Sequence, residues 1–135
     1  MEQRWKGNPL LRDLLVPIGD VRPNQGNARR HQRRDIDATA ASLGDHAQQE
    51  PIIVNQDKLI LAGEGRWLAA NTLGWTHIAV LASSLDDEGQ QHLYAIRDNR
   101  TGELSEWDLG KLAGHLQRLN ATIDLPATGL WAAYE

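Results

Sequence analysis

The chain has no cysteine, no phenylalanine and one methionine among 135 residues. With no cysteine there is no disulfide and no thiolate metal ligand, and composition is silent on redox compartment. Aromatics make up only 5% of the residues, five of them tryptophan. The large indoles Trp75 and Trp107 are therefore expected in the core, with Trp67 left open between core and base-stacking roles. No apolar run approaches the ~20 residues of a membrane-spanning helix. The N-terminus also lacks the apolar stretch of a signal peptide, so a cytoplasmic protein with no membrane partner is expected. The histidines stand at 31, 46, 77, 92 and 115. No two have the spacing of a zinc-binding helix or finger, which argues against zinc.

What is present fits one globular domain: 41% hydrophobic and 24% charged residues. The net charge of −4 argues mildly against a surface that grips nucleic acid throughout. Positive charge is nevertheless concentrated in Arg29, Arg30, Arg33 and Arg34, with His31 among them. This cluster is either a phosphate- or DNA-binding patch or a solvated arginine-rich loop. His31 is read as a phosphate contact or acid–base group, or as a solvated side chain.

Short strands and helices alternate along the chain. A leucine cluster before residue 15 suggests a short helix, and Val16-Pro17-Ile18 an edge strand. Ile36, Ala40 and Leu43 share one face of a helix over about 35–43, which Gly44 would stop. Pro51–Val54 and Lys58–Leu61 read as a hairpin. Strand residues 77–82 alternate after a second helix ended by Gly74. A third helix would start at Ser84 and reach Ile96, with Leu85, Leu93 and Ile96 inward. A fourth would start at Ser105 and present Leu109, Leu112, Leu116 and Leu119. Interleaved elements of this kind make an α+β or mixed α/β fold.

The most informative stretch is Leu59–Ala70. It reads as strand, glycine turn and helix, with Gly63-Glu64-Gly65-Arg66 at the junction. A helix start offers backbone N–H groups and the positive end of the helix dipole. Glycine allows close approach of a ligand, and arginine presents a fork of donors suited to phosphate. An anion cradle follows, set against a plain strand–turn–helix with a surface arginine. Glu64 is a candidate general base or metal-side carboxylate, or a first-turn residue complementing the dipole.

In order along the chain come Asn27-Ala28-Arg29-x-His31, Glu50-Pro51-Ile52-Ile53-Val54, Ala62-Gly63-Glu64-Gly65-Arg66, Leu73-Gly74, a helix ending in Asp98-Asn99-Arg100, and Leu104-x-Glu106-Trp107-Asp108. This ordered set resembles the ParB N-terminal domain of the ParB/sulfiredoxin superfamily. It is most similar to the ParB-like domains of phages and mobile elements that often precede DNA methyltransferases. The resemblance implies an α+β fold with a small mixed β-sheet flanked by helices. It places an N-terminal extension at 1–15, the nucleotide-binding domain at 16–119 and a tail at 120–135.

By the same resemblance, Gly63, Glu64, Gly65, Arg66, Arg29 and Asn99 would bind a nucleotide triphosphate, CTP or ATP. Asp98 and Asn99 would hold Mg²⁺, and Glu64 and Asp98 would be the catalytic candidates. Arg29, Arg30, Arg33 and Arg34 would contact DNA. Sulfiredoxin reductase chemistry is excluded, because it needs a cysteine. Three function classes stay open. One is a nucleotide-binding domain in a DNA-associated process of a phage, plasmid or mobile element, working with a methyltransferase or partition protein or as a homodimer. The second is an ATP-dependent phosphotransferase or nuclease. The third is a non-catalytic DNA-binding or protein-interaction module.

Overall fold

Short β-prone runs bounded by turn formers give short strands, and four of them make one sheet. The computed structural model describes residues 3–24, 31 and 33–124. The strands are β1 (Leu15–Pro17), β2 (Ile52–Val54), β3 (Ile60–Ala62) and β4 (His77–Ala82), in the order β1-β4-β2-β3. β1 is antiparallel to β4, β4 parallel to β2, and β2 antiparallel to β3. The mixed sheet carries helices α1 (Arg33–His46), α2 (Glu64–Thr72), α3 (Glu88–Leu104) and α4 (Leu109–Asn120). This is the expected fold class. Pro17, which lacks an N–H, ends the edge strand β1 as anticipated.

β4 departs from strict alternation. Ile78, Ala79 and Val80 are all buried, because β4 lies between β1 and β2 and is covered on both faces. The core joins these residues to Val21, Ala40, Leu43, Ile52, Val54, Ile60, Ala69 and Ala70, with Trp67 and Trp75 packed against it. Alanines on α2 let α1 pack closely against it.

One buried polar side chain organises the N-terminal half. Gln48 is 1% exposed. Its amide oxygen accepts from Trp5 Nε1 at 2.8 Å and from the Ala79 N–H at 3.0 Å. Its amide nitrogen donates to the carbonyls of Glu50 and Ala79, both at 2.9 Å. A buried amide so satisfied is a rigid cross-link. Its backbone also pairs with Lys6 and Asn8, which ties the residues before β1 to the sheet.

Six local expectations are corrected. α1 runs past Gly44 to His46, and Ala47 makes the left-handed turn at φ 69°. That turn immediately precedes the buried Gln48. α3 is capped by Asp87, whose carboxylate accepts from the Gln90 N–H at 2.9 Å, rather than by Ser84. An aspartate there is both acceptor and dipole-complementing anion. The helix then continues to Leu104, so Asp98-Asn99 lies inside it and not at its end.

α4 is likewise capped by Asp108, while Ser105 closes α3. The inner face of α3 is not Leu93 and Ile96, which are exposed, but the buried Gln91. Gln91 donates to the Leu85 carbonyl at 2.7 Å and to Gln56 Oε1 at 3.2 Å, tying α3 to the hairpin turn. Trp107 is 67% exposed and is no core residue, because the segment between α3 and α4 lies at the surface. No helix of the described residues is long and apolar enough to cross a membrane.

Candidate functional site

β3 ends at Ala62, and the chain turns at Gly63 with φ 101° directly into α2. Only glycine takes that conformation without strain. A Cβ at residue 63 would also stand 2.9 Å from an Arg66 guanidinium nitrogen and 3.2 Å from Ile52 Cγ1. The missing side chain therefore gives Arg66 its place, folded back over the turn. The first capping bond runs from the Trp67 N–H to the Gly63 carbonyl at 3.1 Å. The N–H groups of Gly65 and Arg66 thus have no partner within the helix and point from its start.

A cleft of about 250 Å³ opens on this helix start. It is lined by Gly63, Glu64, Gly65 and Arg66 from one side and by Asp98 and Asn99 of α3 from the other. Six of the predicted site residues, distant in sequence, thereby share one cavity. Asn99 donates from Nδ2 to the Ala95 carbonyl at 3.3 Å, a bond that does not use its amide oxygen. Arg66 forms an ion pair with Glu50 at 3.1 Å.

The predicted DNA-binding residues divide differently. Arg29 and Arg30 lie outside the described residues. Arg33 is exposed in the first turn of α1 and pairs with Asp37 at 3.1 Å. Arg34 is also exposed there, and neither lines the cleft.

Several lining residues were not anticipated as site residues from sequence. Asp35 and Thr39 of α1 reach the cleft one helical turn apart, and the i, i+4 spacing from His31 through Asp35 to Thr39 was the available signal. His31 is not a solvated side chain. It is 12% exposed, and its Nδ1 lies 2.6 Å from Asp35 Oδ2. Tyr94, one turn before Asp98, has its phenol pushed above the ordinary 10.0 by burial and then by the Asp98 charge, with Arg66 acting in the opposite direction.

Among the described residues no three His, Asp or Glu side chains converge to hold a metal ion. Asp98 and Asn99 offer one carboxylate and one amide oxygen. That donor set suits a cation which completes its shell with water and ligand oxygens, as Mg²⁺ does.

The family model of the ParB N-terminal domain matches residues 8–99. The chain belongs to the ParB N-terminal domain family. Curated ParB relatives include a nucleoid occlusion protein of Geobacillus kaustophilus, 30% identical over 95 residues. That match covers 67% of this chain and 34% of the relative. A probable chromosome-partitioning protein ParB of Rickettsia conorii is 27% identical over 135 residues, covering 83% of this chain and 47% of the relative. The chain thus spans a third to a half of the length of these ParB relatives.

Solved structures agree on the fold. The C-terminally truncated ParB of Caulobacter crescentus complexed with CTP-gamma-S superposes with TM-score 0.71 at 20% identity, over 85% of this chain and 69% of that one. The same protein complexed to the centromeric parS site gives 0.52 at 27% identity, over 63% and 46%.

Proposed function

We propose that this ParB-family chain binds a nucleoside triphosphate, CTP foremost, in a DNA-associated process. One observation carries the reading. The left-handed turn at Gly63 brings the α2 N-terminus and the Arg66 guanidinium into the cleft that Asp98 and Asn99 line. Backbone N–H groups and a guanidinium are the donors a polyphosphate requires. The choice of CTP follows the Caulobacter relative of the same fold, which is complexed with CTP-gamma-S.

In this reading Gly63, Gly65 and Arg66 hold phosphate oxygens. Asp98 and Asn99 hold Mg²⁺, which supplies charge neutralisation at the phosphates. Glu64 lies in the first turn of α2, where it complements the helix dipole or orients a bound water. Arg29, Arg30, Arg33 and Arg34 are the candidates for DNA contact, motivated by their clustered charge in the sequence and by the parS-bound relative. The setting is a cytoplasmic one in a phage, plasmid or mobile element, with a methyltransferase, a partition protein or a second copy of the chain as partner.

Calorimetric titration with CTP, ATP and GTP, each with and without Mg²⁺, tests the reading on the wild type and on Arg66→Ala. Saturable CTP binding that Arg66→Ala weakens is expected. Absence of binding to any nucleotide overturns it, and preference for ATP moves the proposal to that ligand. Product analysis after prolonged incubation separates a binder from a hydrolase or phosphotransferase. A short DNA duplex, titrated over a range of salt, tests the arginine group.

A further inference from the structure

Glycine at position 65 makes room for an imidazole. A Cβ there would stand 3.0 Å from His31 Cε1 and 3.3 Å from its Nδ1. The ring therefore lies against the first turn of α2, beside the backbone that the proposed phosphate site uses. Its two nitrogens face different groups. Nδ1 is 2.6 Å from Asp35 Oδ2, and Nε2 is 3.9 Å from Glu64 Oε2. An aspartate that accepts from Nδ1 fixes the tautomer and leaves Nε2 as the atom that gains or loses a proton.

The charges around this ring are unfavourable for an anion. Among the described residues lining the cleft, Asp35, Glu64 and Asp98 are carboxylates and Arg66 is the one guanidinium. That guanidinium already has Glu50 as a partner. Among these described side chains, before any cation is bound, a triphosphate meets more negative than positive charge. A proton on His31 changes this. Nε2 becomes a charged donor beside the helix start, while Asp35 balances the cation from the other side.

We infer that His31 is a proton-dependent phosphate ligand, so that binding of a nucleoside triphosphate takes up a proton at Nε2. This rests on the nucleotide-binding reading above and deepens it. Among the described residues, the groups facing the imidazole are Asp35 from α1 and Glu64 from α2, with Arg66 and Asp98 in the same cleft. Proton uptake that accompanies binding can come from His31 or from the phosphate itself. A variant lacking the imidazole separates those two, because the phosphate's own titration is common to both proteins.

The experiment is calorimetric titration of CTP with Mg²⁺ into the full chain between about pH 6 and about pH 8.5, at each pH in two buffers of different ionisation enthalpy. The wild type is expected to bind about tenfold more weakly at the upper end, with proton uptake on binding. His31→Gln should bind weakly at every pH and lose the uptake seen in excess of the phosphate's own. His31→Arg, a permanent cation, should bind without that excess. Thermal melts of each variant report whether it is folded. If wild type and His31→Gln show the same pH profile and the same uptake, the inference fails while nucleotide binding stands. If the wild type binds no CTP and no ATP at any pH, the functional reading falls and this inference with it.

Discussion

Glu50 and Arg66 meet at 3.1 Å, joining the segment that leads into β2 to the first turn of α2. The pair is lopsided. Glu50 is 77% exposed and Arg66 28%, so solvent screens the carboxylate and the interaction contributes little to stability. It does occupy the guanidinium that the phosphate site needs. Glu50→Gln should therefore tighten CTP binding about two- to fivefold, with unfolding free energy unchanged within about 0.5 kcal/mol. Titration calorimetry and urea denaturation check both halves, and weaker binding in the variant would show that Glu50 positions Arg66 rather than competing for it.

Gly63→Ala should act on both stability and binding. The backbone at φ 101° is strained for any residue with a Cβ, at about 1–2 kcal/mol. The added methyl also reaches the Arg66 guanidinium at 2.9 Å and must displace it. A lower denaturant midpoint together with loss of about tenfold or more in CTP affinity is expected. Unchanged affinity would mean that Arg66 does not need its folded-back position.

Gln48→Leu keeps the volume and removes the hydrogen bonds. Trp5 Nε1, both backbone groups of Ala79 and the Glu50 carbonyl lose a partner at once. A destabilisation of about 3 kcal/mol or more is expected, with an unchanged denaturant slope. A loss below about 1 kcal/mol would show that water replaces the amide.

Tyr94 makes the alkaline limb of stability testable. Burial and the Asp98 charge hold its phenol neutral above the ordinary 10.0. Above that pH the unfolded chain has released the proton while the folded chain keeps it, so the unfolded state binds fewer protons. Stability then falls as pH rises from about 10 through the raised value. Tyr94→Phe should flatten this limb relative to the wild type in urea denaturation across that range. Identical limbs would assign the loss to other groups.

Much of the fold was legible because its signals are local. Pro17 at an edge strand, the β2–β3 hairpin and the glycine-bounded α2 depend on backbone preferences that hold anywhere in a chain. The errors fell where packing or a neighbouring residue outweighed a local cue. Ser84 lost the α3 cap to Asp87, three residues on. Gly44 was passed over because α1 continues to His46, where the turn at Ala47 leads to the buried Gln48. Leu93, Ile96 and Trp107 are apolar yet exposed, and apolarity alone says nothing about which surface a helix finds to cover it.

The site divides along the same line. The residue types of a phosphate cradle were written in Gly63-Glu64-Gly65-Arg66, since a glycine turn into a helix needs no distant partner to be recognised. Distance in the chain hid the rest. That Asp98 and Asn99 face this turn from mid-helix depends on how α3 docks on the hairpin through Gln91. That His31 lies on Gly65 and Glu50 on Arg66 follows from the packing of α1 and β2 around α2. The sequence by itself determined the elements and the chemistry at the start of α2, because both arise from bonds within a few residues. Only the tertiary structure decided which acids and which imidazole surround that chemistry, because those contacts form when remote segments are brought together by burial of the shared core.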